Sequence, residues 1–310
     1  MKAESKIYIA GHAGLAGKAI SDCLQKEGYR HLVTRSSADL DLRNQQATAN
    51  FFQEEKPEYV FLAAAKVGGI LANTKYPGDF LYDNLMIQSN IIHQSFLHQV
   101  KKLVFIASSA IYPRAAPLPF REETMLTGIP EPSTEPYAIA KIAGIRLCES
   151  YRKQYGCNFF SVIPANLYGY TEKNSLDNAH VIPALLNKFH TAKVRGDQEI
   201  VVWGTGNPYR EFLHVQDLAS ACIFLMQSKE LPDRINIGTG EDIRIRDLVS
   251  MIREIVGYSE KVVWDHTKPD GADRKLLDVS KISAMGWKPE IRLKKGLEQM
   301  YRDHFEYINV

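Results

Sequence analysis

Long hydrophobic runs are missing from this sequence. A membrane-spanning helix needs about 18 or more consecutive apolar residues, and the best stretch, Val60 to Ala72, is cut by Lys66. No membrane span is expected. The opening residues, MKAESKIYIAGHAG, hold too short an apolar stretch for a signal peptide, so a cytoplasmic location is expected. Cysteine is scarce: Cys23, Cys148, Cys157 and Cys222 stand far apart, with no C-x-x-C pair and no cluster with His at zinc spacing. This excludes a disulfide-built fold and leaves no metal site to expect. Charge of one sign is also lacking. Thirty-eight Lys plus Arg meet 36 Asp plus Glu, a formal net charge of +2. No nucleic-acid partner is expected, while a local basic pocket for a phosphorylated small molecule stays open. Repeats and low-complexity tracts are absent too, which sets aside solenoids and linkers.

What is present is a rhythm. Short runs rich in Val, Ile and Phe (Lys6–Ala10, His31–Thr34, Tyr59–Ala64, Leu103–Ala107, Phe159–Ile163) alternate with helical patterns over Leu15–Glu27, Gln46–Glu55, Asp79–Gln99 and Pro136–Tyr155. Near-continuous apolar strands suit a parallel sheet covered on both faces. The βαβαβ order predicts an α/β, Rossmann-like doubly wound fold over residues 1–165. Beyond Asn166 the strands shorten (Ile200–Trp203, Arg234–Ile237, Val262–Asp265), between helices near Val181–His190, Val215–Ser228, Ile245–Val256 and Leu293–Tyr307. This predicts a smaller α/β substrate domain over 166–310, with 212–240 returning to the first.

Strand one runs into Gly11-His12-Ala13-Gly14-Leu15-Ala16-Gly17, a G-x-x-G-x-x-G turn that opens a helix. Glycine permits the tight turn, and the helix N-terminus offers free N–H groups and partial positive charge to a pyrophosphate. Its place directly after the first strand of a βαβ unit lifts it above a chance match. An NAD site wants an acid near the end of strand two, whereas an Arg accommodates a 2′-phosphate. Here that strand ends Val33-Thr34-Arg35-Ser36-Ser37, which favours NADP(H); the alternative for Arg35 is a solvated surface residue.

Tyr137-Ala138-Ile139-Ala140-Lys141 puts a phenol and an ammonium at i and i+4, on one helix face. Free tyrosine, with a pKa of about 10, is a poor acid–base catalyst near neutrality, and a neighbouring ammonium favours its phenolate. The fourth strand delivers Ser108 at its carboxyl end, where open α/β sheets bind ligands. A hydroxyl there can hydrogen-bond a substrate carbonyl oxygen as charge develops.

Glycine turn, strand-end serine and Tyr–Lys helix, in this order, resemble the extended short-chain dehydrogenase/reductases. Five blocks narrow the match: FLAAAKVGGILANTKY (Phe61–Tyr76), EPSTEPYAIAKIAGIRLCESY (Glu131–Tyr151), AHVIPALL (Ala179–Leu186), VWGTGNPYREFLHV (Val202–Val215) and KPDGADRKLLD (Lys268–Asp278). Together they resemble the GDP-L-fucose synthase family over nearly the whole chain. The resemblance implies a homodimer, NADP(H) as cofactor and a GDP-linked 4-keto-6-deoxy sugar as substrate. It implies that Tyr137 protonates the C4 oxygen, that Lys141 binds the nicotinamide ribose, and that Ser108 holds the carbonyl oxygen. On the cofactor side it also implies Gly11, Gly14, Leu15, Ala16, Gly17, Arg35, Asp41, Asn166 and His180. On the sugar-nucleotide side it implies Trp203, Arg210, Asp270 and Lys275, with Lys188 at a second basic position. For Trp203 the alternative is core packing.

Two departures stand out. The family's epimerisation at C3 and C5 uses a cysteine in Ser-Ser-Cys-Ile-Tyr-Pro and a histidine before Val-Ile-Pro. The histidine is His180, but the first block reads Ser108-Ser109-Ala110-Ile111-Tyr112-Pro113. Either the protein only reduces C4, or Ala110 marks a Cys→Ala variant of a full synthase. His180 then either keeps a catalytic role, binds substrate or caps the helix beginning at Val181. The second departure is Ala13, where the family carries a basic residue near the 2′-phosphate, leaving Arg35 to supply that charge. Readings still open are a C4-ketoreductase for a hexose or heptose, a full synthase, and a non-catalytic NADP(H)-binding sensor.

Overall fold

Strands that are apolar on both faces are satisfied only inside a sheet covered on each side, and the first half of the chain builds that sheet. The computed structural model describes residues 1–169, 181–268 and 270–306. Strand and helix alternate as β1 (Ile7–Ala10), α1 (Leu15–Lys26), β2 (Leu32–Val33), α2 (Gln45–Glu55), β3 (Tyr59–Leu62), α3 (Ile70–Lys75), α4 (Pro77–Leu97), β4 (Lys102–Ile106), α5 (Glu135–Tyr155) and β5 (Phe159–Pro164). There follow β6 (Asn166–Tyr168), α6 (Val181–Arg195), β7 (Glu199–Trp203), β8 (Tyr209–His214), α7 (Val215–Gln227), β9 (Arg234–Ile237) and β10 (Asp242–Arg244). The chain ends in α8 (Ile245–Val256), β11 (Lys261–Asp265), β12 (Arg274–Lys275), α9 (Ser280–Ala284) and α10 (Leu293–Tyr301).

The main sheet has the order β2-β1-β3-β4-β5-β9, parallel throughout. This is the doubly wound α/β fold that the apolar rhythm predicts. Winding reverses between β1 and β3, and such a switch point leaves a crevice at the carboxyl ends of the strands. Val60, Phe61, Leu62, Leu103, Val104 and Phe105 are fully buried at its centre. Strand β9 completes the sheet through Ser161↔Arg234 to Pro164↔Ile237, and α7 packs on α1. A second cluster gathers Tyr168 from β6 with Ile182, Phe189, Leu248, Ile252 and Leu297 from α6, α8 and α10. Beside it lie the small sheet of β10, β8, β12 and β6 and the β7–β11 pair. Among the described residues no helix is long and apolar enough to cross a membrane.

Several boundaries differ from the sequence pattern for local reasons. β2 keeps only two residues of His31–Thr34, because it is an edge strand paired on one side, to β1. β3 stops at Leu62, where the chain passes against the glycine turn; a Cβ on Gly11 would lie 2.6 Å from Ala64 N. α4 starts at Pro77, which needs no N–H partner in the first turn. α10 gives way after Tyr301 to a π turn over Arg302–Glu306, and Tyr307 lies outside the described residues. Helices α4 and α5 pack closely because residue 144 is glycine. A Cβ there would lie 2.5 Å from Phe105 Cζ and 2.7 Å from Gln88 Oε1.

Candidate active site

The crevice at the switch point is a cleft of about 820 Å³, lined at one end by the glycine turn and at the other by Arg210 and Lys275. Its floor is α1's N-terminus. Gly14 caps that helix with no side-chain hydrogen bond, and no acid occupies the first turn. The N–H groups over Leu15, Ala16 and Gly17 therefore face the cleft without a competing anion, which suits a dinucleotide's pyrophosphate. Gly17 is required for the turn itself: a Cβ would lie 2.1 Å from Gly11 O. Gly11 holds φ +85°, a backbone region that glycine enters freely.

Arg35 lines the same end of the cleft with Ser36 and Ser37. Its guanidinium is tied to Glu55, which also holds Lys6 at 2.7 Å, and it lies 5.6 Å above the Phe51 ring. The sequence pattern shows the arginine but not this restraint. Asp41 is likewise engaged: Arg43 binds it through two nitrogens at 2.9 Å, holding its carboxyl below the usual range, and reaches Asp83 at 3.1 Å. Lys66 closes this network on Asp79 (2.8 Å) and Asp83 (3.0 Å). Arg43 and Lys66 both line the cleft and were missed in the sequence; the lysine inside an otherwise apolar run was the available signal.

Ser108, Tyr137 and Lys141 converge on the cleft from β4 and α5. Ser108 Oγ accepts the Ala110 N–H at 3.2 Å and keeps its hydroxyl proton for donation, here toward Tyr137. Lys141, buried, donates to Ile106 O at 2.8 Å and sits 4.7 Å above the Phe105 ring. Tyr137 packs edge-on against Phe80 at 6.4 Å. Burial pushes the Tyr137 phenol up to about 12, partly offset by a hydrogen bond with Ser108, and burial brings Lys141 down to about 7. The sequence-based expectation was a phenol lowered by its lysine. Here desolvation prevails instead, because the Lys141 nitrogen is 5.9 Å from the Tyr137 ring centre and points to a carbonyl. The result is a phenol that keeps its proton.

The other predicted residues divide. Asn166 lines the cleft and donates to Glu211 O at 2.8 Å. Arg210 and Lys275 are register partners on β8 and β12 and both line the cleft. Burial, reinforced by Arg210, lowers Lys275 to about 8. Arg210 donates to Tyr209 O at 2.7 Å. Lys188, Trp203 and Asp270 are not among the lining residues. Lys188 donates to Val201 O (2.6 Å), Asp270 accepts from Thr205 N and Oγ1 (2.8 and 2.7 Å), and Trp203 is 54% exposed beneath Lys268. His180 lies outside the described residues. No group of three or more His, Cys, Asp or Glu among the described residues is placed to hold a metal ion. Glu131 also lines the cleft; an ordinary glutamate before a proline carries no sequence signal of that.

A dinucleotide crevice that opens onto a strand-end serine and a Tyr–Lys helix defines an enzyme of the short-chain dehydrogenase/reductase type. The chain belongs to the NAD dependent epimerase/dehydratase family, whose model matches residues 7–238, and within it to the branch that holds the GDP-L-fucose synthases. It is 52% identical over 297 residues to GDP-L-fucose synthase 1 of Arabidopsis thaliana, covering 96% of this chain and 92% of the relative. Among solved structures it resembles a GDP-mannoheptose C4 reductase from Campylobacter jejuni with NADP bound, at 44% identity and TM-score 0.90, with 100% of each chain covered. A GDP-6-OMe-4-keto-L-xylo-heptose reductase from C. jejuni gives 42% identity and TM-score 0.92, with 99% of each chain covered.

Proposed function

We propose that this protein uses NADPH to reduce the C4 ketone of a GDP-linked 4-keto-6-deoxy sugar, hexose or heptose, without epimerising C3 or C5. By family it is an NADP-dependent sugar-nucleotide oxidoreductase. The carrying observation is a complete Ser108–Tyr137–Lys141 set on one wall of the cleft, with the methyl of Ala110 lining the wall where the family carries its cysteine. The C4 reductases among its structural neighbours support this reading.

NADPH, when bound, supplies the hydride. The Leu15–Gly17 N–H groups would receive its pyrophosphate, and Gly11, Gly14, Arg35, Asp41 and Asn166 would hold the rest of it. Ser108 donates to the carbonyl oxygen and draws it toward the Tyr137 hydroxyl. Tyr137 holds its proton until C4 becomes an alkoxide, then releases it. The phenolate so formed favours the charged form of Lys141, which stabilises it in turn. Arg210 and Lys275 meet the diphosphate, with Lys188, Trp203 and Asp270 at the sugar-nucleotide rim. Epimerisation needs one group to remove a proton and another to return it on the opposite face. Ala110 has none to offer, and His180 alone does not complete such a pair. Residues 1–165 with 212–240 form the cofactor domain and the remainder the substrate domain. A cytoplasmic homodimer joined through α4 and α5 belongs to the same reading, supported by exposed Tyr82, Leu97 and Ile139 on those helices.

The identity to a GDP-L-fucose synthase favours a second reading, a full epimerase–reductase. One experiment separates the two. The enzyme is incubated in deuterated water with NADPH and GDP-4-keto-6-deoxymannose, or its 3,5-epimer, and the products are read by NMR. NADPH oxidation without deuterium at C3 or C5 is expected. Enzyme-dependent deuterium at either carbon overturns the reductase-only reading, and no NADPH oxidation with either sugar or with their heptose counterparts overturns C4 reduction.

A further inference from the structure

Two deeply buried carboxylates, Glu211 and Glu122, are fully engaged. Glu211 Oε1 accepts from Thr239 N (2.7 Å) and Gly240 N (2.8 Å), and its Oε2 from Leu277 N (2.8 Å). Glu122 Oε1 accepts from Asn236 N at 3.0 Å, and its Oε2 meets Lys281 at 3.0 Å. Glu131 is different. Its side chain is 17% exposed and lines the cleft, yet Oε2 is buried with no hydrogen-bond partner among the described residues. Arg114 Nε forms an ion pair with it at 3.7 Å, too long for a hydrogen bond, and that arginine's side chain is 67% exposed. An ionised carboxylate only accepts, and a buried acceptor with no donor is costly to keep.

Its position is set by the backbone. Pro113 bridges Pro130, and Arg114 N donates to Ile129 O at 3.0 Å, so the Glu131 segment lies beside the strand-end loop that carries Ser108 and Ala110. Thr134 N then donates to Glu131 O at 3.0 Å, turning the chain into α5 and toward Tyr137. On the other side, the Glu131 charge acts on both Lys275 and Arg210, favouring their charged forms against the burial that lowers them. Glu131 thus stands between the carbonyl-binding hydroxyls and the paired cations. A diphosphate brings no proton to that point and would be repelled. Sugar hydroxyls are the donors that a ligand spanning both ends presents there.

We infer that Glu131 accepts hydrogen bonds from ring hydroxyls of the sugar and thereby sets the enzyme's preference for the sugar nucleotide over the free nucleotide. The inference rests on the sugar-nucleotide reading above. A fixed acceptor holds the hydroxyls while Ser108 and Tyr137 address the ketone.

The test titrates the NADP-loaded wild type and Glu131→Gln with GDP and with GDP-mannose by calorimetry, and follows steady-state reduction of the keto sugar. GDP-mannose should bind wild type more tightly than GDP. In Glu131→Gln the GDP affinity should stay within about twofold, while the advantage of GDP-mannose falls about tenfold, as for one charge-assisted hydrogen bond. KM should rise about tenfold with kcat nearly unchanged. An unchanged advantage for GDP-mannose overturns the inference alone. Equal weakening toward GDP does the same, since it moves Glu131 to the base or the diphosphate. If wild type binds neither compound, the sugar-nucleotide reading falls and takes the inference with it.

Discussion

Replacing Gly144 with alanine tests how the active site is held. The added Cβ would lie 2.5 Å from Phe105 Cζ, 2.6 Å from Phe105 Cε1 and 2.7 Å from Gln88 Oε1. Neither neighbour can move cheaply. Phe105 is fully buried in the middle of the sheet, and Gln88 is fixed by its hydrogen bond to Ala140 O on α5. Overpacking of this kind costs about 1–3 kcal/mol, and alanine returns about 1 kcal/mol in helix propensity. With two neighbours that cannot yield, the upper part of that range applies and the expected net loss is about 1–2 kcal/mol, a drop of a few degrees in thermal midpoint. Activity should fall as well, because the Phe105 ring that must yield lies 4.7 Å from the Lys141 nitrogen. Gly78→Ala is the control: it lies in the first turn of α4, and nothing lies within 4 Å of its Cβ. That variant should match or slightly exceed wild type in stability, with unchanged turnover. Calorimetric melting and NADPH oxidation give both readouts. A Gly144→Ala protein as stable and as active as wild type would refute the close-approach reasoning.

Two further outcomes follow from the same wall of the cleft. Tyr137→Phe keeps the edge contact with Phe80 but loses the proton, so turnover should fall about 10²–10⁴-fold with NADPH affinity preserved by equilibrium titration; undiminished turnover would remove Tyr137 from the mechanism. Lys141 has its folded pKa lowered by burial to about 7 from an ordinary 10.5. Between those values the unfolded chain binds a proton that the folded one does not, so stability should rise with pH across that window. Lys141→Met should flatten the rise in urea midpoints from pH 7 to 9, and an identical pH slope in the variant would contradict the assigned shift.

The parts of the site visible in the sequence are those whose chemistry is local. A glycine turn is a backbone requirement within seven residues, and Tyr137 and Lys141 meet by helix periodicity alone. Arg35 was visible as a charge, but its tether to Glu55 came from another element, α2. The protonation balance of Tyr137 was misjudged for a similar reason. The i, i+4 spacing brings the lysine near, yet burial and the Ile106 carbonyl decide where its proton points. Glu131 opens one of the family-like blocks, but that block gives it no role of its own, since its significance lies in what does not reach it.

Apolar periodicity dictates the strands, the covering helices and the doubly wound class, because each segment must hide its own hydrophobic face wherever it ends up. The turn chemistry and the Ser–Tyr–Lys set are likewise written in short stretches, as is the alanine at 110. Pairings across long separations are another matter. That Lys275 comes alongside Arg210, and that Glu131 lies beside the Ser108 loop, depend on closing chain loops of tens of residues. Such closure is repaid by packing and hydrogen bonds distributed over the whole molecule, so no local pattern announces it. Chemistry on one element is therefore legible before folding, while the shape of the substrate's binding site exists only once the elements have met.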